Sequence, residues 1–227
     1  MSEKTKVVLD AMGGDHSPGE MVLGAVNAVK EKDNLFVYIA GPSDRIQAEL
    51  DKYEYPKDQI EIVHASDEIT CHDAPVQAIR GKKDSSMVVG LRMVREGKAD
   101  GFVSAGNSGA VLVGGQVLVG KMKGIERAPL APIVPTLKGV SLLVDCGANV
   151  DAKPSNLVQF AQMGSIYMEN ALKIERPTVG ILNIGAEEEK GNALVKEPYP
   201  LLKECKGINF IGSVEARDFI YGAADVV

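Results

Sequence analysis

The sequence predicts an α/β fold in which helices cover both faces of a mostly parallel, mixed sheet, giving a three-layer α/β/α sandwich. Short apolar runs that are typical of buried parallel strands alternate with longer segments whose apolar residues recur at helical spacing. Alternation of this kind predicts a sheet between two layers of helices. Polar residues and glycines directly follow several of the predicted strands, and such strand ends line the ligand crevice of open α/β sheets.

The first half of the chain contains the clearest alternation of strands and helices. Strands are predicted at residues 7–10, 35–40, 59–63 and 101–103, and helices at about 18–30, 44–50, 86–94 and 111–119. Ser17 is expected to cap the first helix, with Pro18 at its first position. The last of these helices is apolar over most of its length, so we expect it to be a buried core helix.

The second half continues the pattern after a segment rich in proline, which is expected to be a strand or connector at a sheet edge. Further strands are predicted at 140–144, 178–182 and 208–211, and helices at 154–172, 199–204 and 215–221. Gly164 lies on the apolar stripe of the long helix, where a neighbouring element can approach closely. Residues 224–227 are typical of the start of another strand. We therefore expect residues 1–227 to form a single α/β domain that lacks the C-terminal part of a longer chain.

Composition limits the classes of function. The formal net charge is −6 and aromatic residues make up only 5% of the chain, which argues against broad nucleic-acid binding and base stacking. Any anion site must therefore be local. The three cysteines are scattered, which argues against a disulfide framework or a zinc site and favours a reducing cytoplasm. No apolar run reaches the length of a membrane span.

A glycine-rich turn, residues 104–110, connects the strand at 101–103 to the next helix. Backbone N–H groups at such a helix start are unpaired and lie at the positive end of the helix dipole, so they suit a bound anion such as phosphate. The candidate ligands in this turn are Ser104, Gly106, Asn107, Ser108 and Gly109. An ordinary strand–helix turn with an Asn or Ser cap would account for the same residues.

Other strand ends carry similar residues. Asp10 precedes Gly13, Asp145 precedes Gly147, and Asn183 precedes Gly185, and several such ends favour a crevice more strongly than one turn does. The remaining candidates in these loops are Gly14, Asp15, His16, Asn149 and Lys153, with Arg80 and Lys82 in a basic turn. These side chains suit an anionic ligand, but loop capping or a solvated surface would explain them too. No cluster with metal-ligand spacing occurs, and neither GxxxxGK[ST] nor GxGxxG is present.

Six stretches of the chain resemble the bacterial phosphate acyltransferase family (PlsX). They are residues 10–15, 78–87, 104–110, 145–149, 183–187 and 215–218, and the similarity runs from residue 7 to the end. One position departs from the family pattern. Ala74 stands before Pro75, where the family usually has an acidic or basic residue, so this position is given no role.

The resemblance implies an enzyme that moves a fatty acyl group from acyl carrier protein to inorganic phosphate, giving acyl phosphate for phospholipid synthesis. It implies a fold like those of phosphotransacetylase and isopropylmalate dehydrogenase, and family chains that continue past residue 227. It also implies a cytoplasmic homodimer that associates peripherally with the membrane. A downstream glycerol-phosphate acyltransferase would use its product. No metal, organic cofactor or nucleic acid is expected.

The expected mechanism needs little base catalysis, because phosphate is already an anion near neutral pH. The catalytic residues are predicted to be His16, Asn107 and Lys153, with His16 protonating the departing thiolate. The predicted substrate- and phosphate-binding residues are Asp10, Gly13, Gly14, Asp15, Arg80, Lys82, Ser104, Gly106, Ser108, Gly109, Asp145, Asn149 and Asn183. Two alternatives stay open: a non-catalytic module that binds phosphate or acyl carrier protein, and a metal- and nicotinamide-dependent dehydrogenase of the same fold group.

Overall fold

The computed structural model describes residues 4–227. Contacts group the chain into two compact units, one ending at Met122 and the other formed by Lys123–Val227. Each unit has its own strands and its own apolar clusters. The single domain expected from the sequence stays a prediction, because compactness alone does not show whether a unit folds independently.

The first unit is built on a four-stranded parallel sheet with the strand order β3-β2-β1-β4. The strands are β1 (Thr5–Asp10), β2 (Leu35–Gly41), β3 (Ile60–His64) and β4 (Gly101–Val103). The helices are α1 (Gly19–Glu31), α2 (Ser43–Leu50), α3 (Pro75–Gly81), α4 (Ser86–Arg95) and α5 (Ser108–Gly114), with a 3-10 turn at Lys57–Gln59 and a π-helical turn at Gly115–Val119.

Helices cover both faces of this sheet. Alternate residues of a strand point to opposite faces, and Val37 and Ile39 accordingly pack with Ile46 of α2 and with α1. Val8 packs instead with Met93 of α4 on the other face. The first unit therefore has the three layers that the sequence predicts.

The strand order places a topological switch point at β1. The chain adds β2 and then β3 on one side of β1, and it returns to add β4 on the other side. In open parallel sheets, ligands bind outside the carboxyl ends of the strands at such a point. Here those ends are Asp10 of β1 and Ser104, the residue that follows β4.

The second unit contains both antiparallel and parallel pairs. Its strands are β5 (Ile133–Thr136), β6 (Gly139–Leu142), β7 (Thr178–Asn183) and β8 (Asn209–Glu215), and its helices are α6 (Pro154–Ala171), α7 (Ala193–Lys196), α8 (Pro198–Glu204) and α9 (Ala216–Phe219). β5 pairs with β6 antiparallel, and β7 pairs with β8 in parallel. The chain thus has a mixed α/β architecture with parallel strands at its centre, as predicted.

Residues 225–227 lie between β6 and β7. Val226 forms bridges with both Leu142 and Val179, and the N–H of Gly180 donates to the carbonyl of Val226 at 2.8 Å. A Cβ placed on Gly164 of α6 would lie 2.6 Å from Val226 Cγ1, so the close approach predicted at this glycine is confirmed. Within residues 4–227, no helix combines the length and the apolar character that a membrane span needs.

Two local predictions are wrong. The segment 111–119 is not a buried helix throughout, because α5 ends at Gly114 and Val117 in the π-helical turn is 63% exposed. Ser17 does not cap α1, because Pro18 itself occupies the cap position and places Ser17 one residue too early to reach the first-turn amides.

Glycine at position 90 is predicted to be needed for packing rather than for backbone freedom. A Cβ there would lie 2.6 Å from the Phe102 ring and 3.0 Å from Val8 Cγ1. Gly90→Ala should therefore lower the free energy of unfolding by about 1–3 kcal/mol, the usual cost of overpacking. Denaturant unfolding measures the change. Gly24→Ala in α1 is the control, because nothing lies within 4 Å of its Cβ and the helix should gain stability. Equal effects of the two substitutions would contradict the packing argument.

Candidate functional site

The candidate site in the first unit is organised by the buried carboxylate of Asp10, which is only 2% exposed. Ser86 Oγ donates to Asp10 Oδ1 at 2.5 Å, and Ser104 Oγ donates to Oδ2 at 2.8 Å. The N–H of Met12 donates to Oδ1 at 3.1 Å. A buried carboxylate is tolerated only when donors surround it. Asp10 therefore ties the start of α4 and the loops after β1 and β4 to one point.

Glycines allow the loops after β1 and β4 to touch. A Cβ on Gly13 would lie 2.7 Å from both Asp10 Oδ2 and Ser104 Oγ, and a Cβ on Gly106 would lie 3.1 Å from the Cα of Gly13. Gly14 has a φ of +118°, a conformation that other residues rarely adopt. Five of the predicted site residues thus meet at the switch point.

The turn before α5 has backbone donors that are not used within the described residues. Ser104 Oγ accepts from the N–H of Gly106 at 3.1 Å, and Asn107 Oδ1 accepts from the N–H of Ala110 at 3.0 Å. The N–H groups of Ser108 and Gly109, in the first turn of α5, make no hydrogen bond in residues 4–227. They lie at the positive end of the helix, so they can donate to the oxygens of an anion.

The side chain of Asn107 is fully engaged by the protein. It is 9% exposed, its Oδ1 caps α5, and its Nδ2 donates to the carbonyls of Thr70 and Asp73 at 3.1 and 3.0 Å. Asn107 therefore holds the loop at residues 70–73 against the start of α5. Its predicted catalytic role stays a prediction.

The side chain of Lys82 is also held by hydrogen bonds to this loop. Its Nζ donates to Asp73 Oδ2 at 2.8 Å and to the carbonyl of Glu68 at 2.7 Å. The hydrogen bond from Lys82, helped by the N–H of Thr70, lowers the pKa of Asp73 from 3.8 to about 2. The same contact raises the pKa of Lys82. Arg80, in contrast, is exposed and makes no ion pair with any described residue.

The two remaining candidates of the first unit lie in the turn that leads to α1. Asp15 and His16 are both exposed, and neither side chain makes a hydrogen bond within residues 4–227. Their predicted roles in substrate binding and proton transfer stay predictions.

In the second unit, Asp145 and Asn149 fasten a loop to the segment before β5. Asp145 accepts from the N–H of Leu130 at 2.6 Å and from the N–H of Asn149 at 2.7 Å. Asn149 Nδ2 donates to the carbonyl of Ala128 at 3.0 Å. These contacts use both carboxylate oxygens of Asp145, so the side chain acts as a scaffold for the loop.

Asn183 and Lys153 lie elsewhere in the second unit. Asn183, at the end of β7, is 7% exposed, and its Nδ2 donates to Ser213 Oγ at 3.1 Å. Lys153 is exposed at the start of α6, where its N–H donates to Asn156 Oδ1 at 2.9 Å. The predicted binding role of Asn183 and the catalytic role of Lys153 stay predictions.

Ser86 is the site residue that sequence reasoning missed. It lies 76 residues from Asp10 in the chain, and only the fold brings the two side chains together. The signal available in the sequence was the pair Ser85-Ser86 at a helix start. Ser85 caps α4 by accepting from the N–H of Val88, so the second serine is left for another partner.

Residues 5–227 match the sequence profile of a family described as "Fatty acid synthesis protein". The chain belongs to this family. Its curated relatives include proteins named phosphate acyltransferase from Alkaliphilus oremlandii, with 56% identity over 222 residues, and from Clostridium botulinum, with 50% identity over 222 residues. A protein of the same name from Clostridium acetobutylicum is 49% identical over 221 residues. The resemblance of the sequence motifs to that family is thereby confirmed.

The alignments cover 97–98% of this chain but 66–67% of these relatives, so the chain spans about two thirds of their length. Two solved structures share the fold. A EutD phosphotransacetylase from Staphylococcus aureus has a TM-score of 0.66 at 16% identity, covering 98% of this chain and 76% of its own. A branched-chain phosphotransacylase from Enterococcus faecalis V583 has a TM-score of 0.59 at 15% identity, covering 98% and 78%. The predicted phosphotransacetylase-like fold is confirmed.

The coupling between Ser86 and Asp10 is expected to be measurable. Ser86→Ala removes a donor from a buried charge and should lower the free energy of unfolding by about 1.5–3 kcal/mol. In an Asp10→Asn background the same substitution should cost about 1 kcal/mol or less, because the charge is gone. A double-mutant cycle in denaturant measures the difference. Ser85→Ala is the control, since its loss of a helix cap should be the same in both backgrounds. Additive effects of Ser86→Ala and Asp10→Asn would contradict the assignment.

The Asp73–Lys82 pair predicts a specific pH dependence. The folded pKa of Asp73 is lowered from 3.8 to about 2, so its contribution to stability is present above pH 3.8 and is lost as the pH falls towards 2. Asp73→Asn should remove this part of the acid sensitivity, and Lys82→Met should weaken it because the main donor is gone. Thermal unfolding midpoints across this pH interval provide the test. If the unfolding midpoint of Asp73→Asn falls with pH as steeply as that of the wild type, the pair does not contribute to the acid sensitivity of stability.

Proposed function

We propose that the chain forms part of an acyltransferase that moves a fatty acyl group from an acyl carrier protein thioester to inorganic phosphate. The product would be an acyl phosphate for phospholipid synthesis. The observation that carries the proposal is the turn before α5, whose Ser108 and Gly109 N–H groups are unpaired at the switch point of the sheet. The names of the relatives support the reaction class.

The proposed chemistry begins with an oxygen of phosphate attacking the thioester carbonyl. A tetrahedral oxyanion forms, the C–S bond breaks, and the sulfur leaves as a thiolate that takes up a proton. Fixed N–H donors stabilise such developing charge without reorganising. The N–H groups of Ser108 and Gly109 are proposed to hold the phosphate or the oxyanion, and His16 to donate the proton to the thiolate.

The other residues near the turn are proposed to act through position and charge. Asp10 fixes Ser104, which in turn accepts from the N–H of Gly106 and orients the turn. Arg80 is the better candidate for offsetting phosphate charge, because Lys82 already shares its charge with Asp73. No metal or organic cofactor has a step in this proposal.

The partners follow from the same proposal. Acyl carrier proteins are acidic, so a local basic rim at Arg80, Lys82 and Lys83 would suit one on a chain whose net charge is −6. We further propose a cytoplasmic homodimer that associates peripherally with the membrane and passes acyl phosphate to a glycerol-phosphate acyltransferase. The family description and the names of the relatives support the acyl transfer to phosphate and its place in fatty acid synthesis.

A thioester-cleavage assay tests the function. The purified protein should release free thiol from acyl carrier protein thioester only when phosphate is present. Ser104→Ala should lower kcat/KM for phosphate about tenfold or more, because the turn loses its anchor to Asp10; a tenfold loss corresponds to about 1.4 kcal/mol. Ser43→Ala is the matched control, since Ser43 follows β2 and contacts His64 Nδ1 at 2.9 Å instead.

Other outcomes of this assay would contradict the proposal in different ways. Thiol release that is equally fast without phosphate would indicate a thioesterase. Binding of the thioester without release would indicate a non-catalytic binding module. Equal values of kcat/KM for phosphate in Ser104→Ala and Ser43→Ala would show that the turn is not part of the phosphate site.

A further inference from the structure

The hydroxyl of Ser86 lies at the far end of a chain of hydrogen bonds that reaches the turn before α5. Ser86 Oγ donates to Asp10 Oδ1 at 2.5 Å, and Asp10 Oδ2 accepts from Ser104 Oγ at 2.8 Å. Ser104 Oγ accepts in turn from the N–H of Gly106 at 3.1 Å. Because Ser86 is only 1% exposed, it can influence a ligand of the turn only through these partners.

The position of Ser86 is fixed by contacts that do not involve Asp10. Ser86 is the first residue of α4, and its N–H donates to the carbonyl of Asp67 at 3.2 Å. Val88, in the same helical turn, is fully buried in an apolar cluster. The side chain of Ser85 accepts from the N–H of Val88 and so supplies the helix cap. The hydroxyl of Ser86 is therefore free to serve Asp10 as a donor at a fixed place.

Two donors hold one oxygen of the Asp10 carboxylate. Oδ1 accepts from Ser86 Oγ and from the N–H of Met12, whereas Oδ2 accepts from Ser104 Oγ. The terminal torsion of an aspartate side chain has broad energy wells, so the direction of its two oxygens depends largely on their hydrogen-bond partners. Without the Ser86 hydroxyl, Oδ1 would lose one of its two donors in a buried place, which favours a rotation of the carboxylate towards other donors. Such a rotation also moves Oδ2, to which Ser104 is bonded.

The close packing around Oδ2 couples such a rotation to the turn. A Cβ placed on Gly13 would lie 2.7 Å from both Asp10 Oδ2 and Ser104 Oγ, and a Cβ placed on Gly106 would lie 3.1 Å from the Cα of Gly13. The carboxylate and the two loops are thus already in close contact. A displaced Oδ2 would therefore displace Ser104 or Gly13, and with them the backbone of the turn.

We propose that Ser86 is a positioning residue for the transfer to phosphate, an inference that rests on the proposed acyltransferase function. Through Asp10 and Ser104 it fixes the place of the N–H groups of the turn, which are proposed to hold the phosphate or the oxyanion. Small misplacements of groups around a reacting centre lower the rate by large factors. Ser86 should therefore affect the use of phosphate and leave the binding of the acyl thioester unchanged.

Steady-state kinetics of Ser86→Ala test this role. The substitution should lower kcat/KM for phosphate at least tenfold, while the KM for the acyl carrier protein thioester stays within twofold of the wild-type value. Ser86→Thr keeps the hydroxyl and should recover most of the loss. Ser85→Ala is the matched control, because Ser85 is also buried at the start of α4 but accepts from the N–H of Val88 instead. It should keep the wild-type kcat/KM for phosphate.

A second background separates positioning from a loss of stability. If Ser86 acts through Ser104, then Ser86→Ala should change kcat/KM for phosphate less than twofold in a chain that already carries Ser104→Ala. A loss of activity through partial unfolding would persist in that background. If Ser86→Ala does not fold, Ser86→Cys takes its place, because a thiol is a weaker donor than a hydroxyl.

Two results would overturn the proposal. The first is an equal kcat/KM for phosphate in Ser86→Ala and Ser85→Ala. The second is an equal loss from Ser86→Ala in the wild-type and Ser104→Ala backgrounds. A tenfold loss that disappears in the Ser104→Ala background supports the proposal.

The positioning role and the proposed function fail in distinguishable ways. Phosphate-independent thiol release by the wild type would contradict the acyltransferase function. Binding of inorganic phosphate, measured by titration calorimetry, would then still decide the role of Ser86, because Ser86→Ala should bind phosphate at least tenfold more weakly than Ser85→Ala. Equal affinities would overturn that role. Phosphate-dependent release with a wild-type kcat/KM in Ser86→Ala would contradict the positioning role alone.

Discussion

A carboxylate removed from water needs hydrogen-bond donors on every side, and the first unit is arranged so that Asp10 has them. Its donors come from three parts of the chain: the loop after β1, the start of α4 and the loop after β4. Because an unpaired buried charge is costly, these segments are constrained to meet at one place. The close contact of Gly13 with the loop that carries Ser104 depends on the same constraint, as does the orientation of the turn before α5.

The features that were predictable from the sequence are those encoded over short distances. Alternating apolar segments predicted the α/β class, and the glycine and polar residues after the strands indicated where loops would meet. The close approach at Gly164 was predictable from its position on an apolar helical stripe. The switch point itself was not predictable in this way, because it depends on β4 pairing with β1 rather than with β3.

The remaining site details depend on partners that are distant in the chain. Asn107 and Lys82 looked like free ligands because their sequence neighbours did not reveal the carbonyls of Thr70, Asp73 and Glu68 that their donors reach. Ser86 was missed for the same reason. Val117 shows the opposite limit: apolar composition favours burial, but this residue lies in the π-helical turn and is exposed.

Because β4 is short, formation of the candidate site depends on the docking of this strand against β1. β4 has three residues, and within residues 4–227 it pairs only with β1, which is separated from it by about 90 residues of chain. The entropy of loop closure opposes the pairing of strands that are distant in the chain, and such pairing slows folding. A ligand held by the turn after β4 would bind the docked strand and not the undocked one, and it would stabilise that docking by mass action. A ligand bound there would thus help to order the strand that leads into its own binding turn.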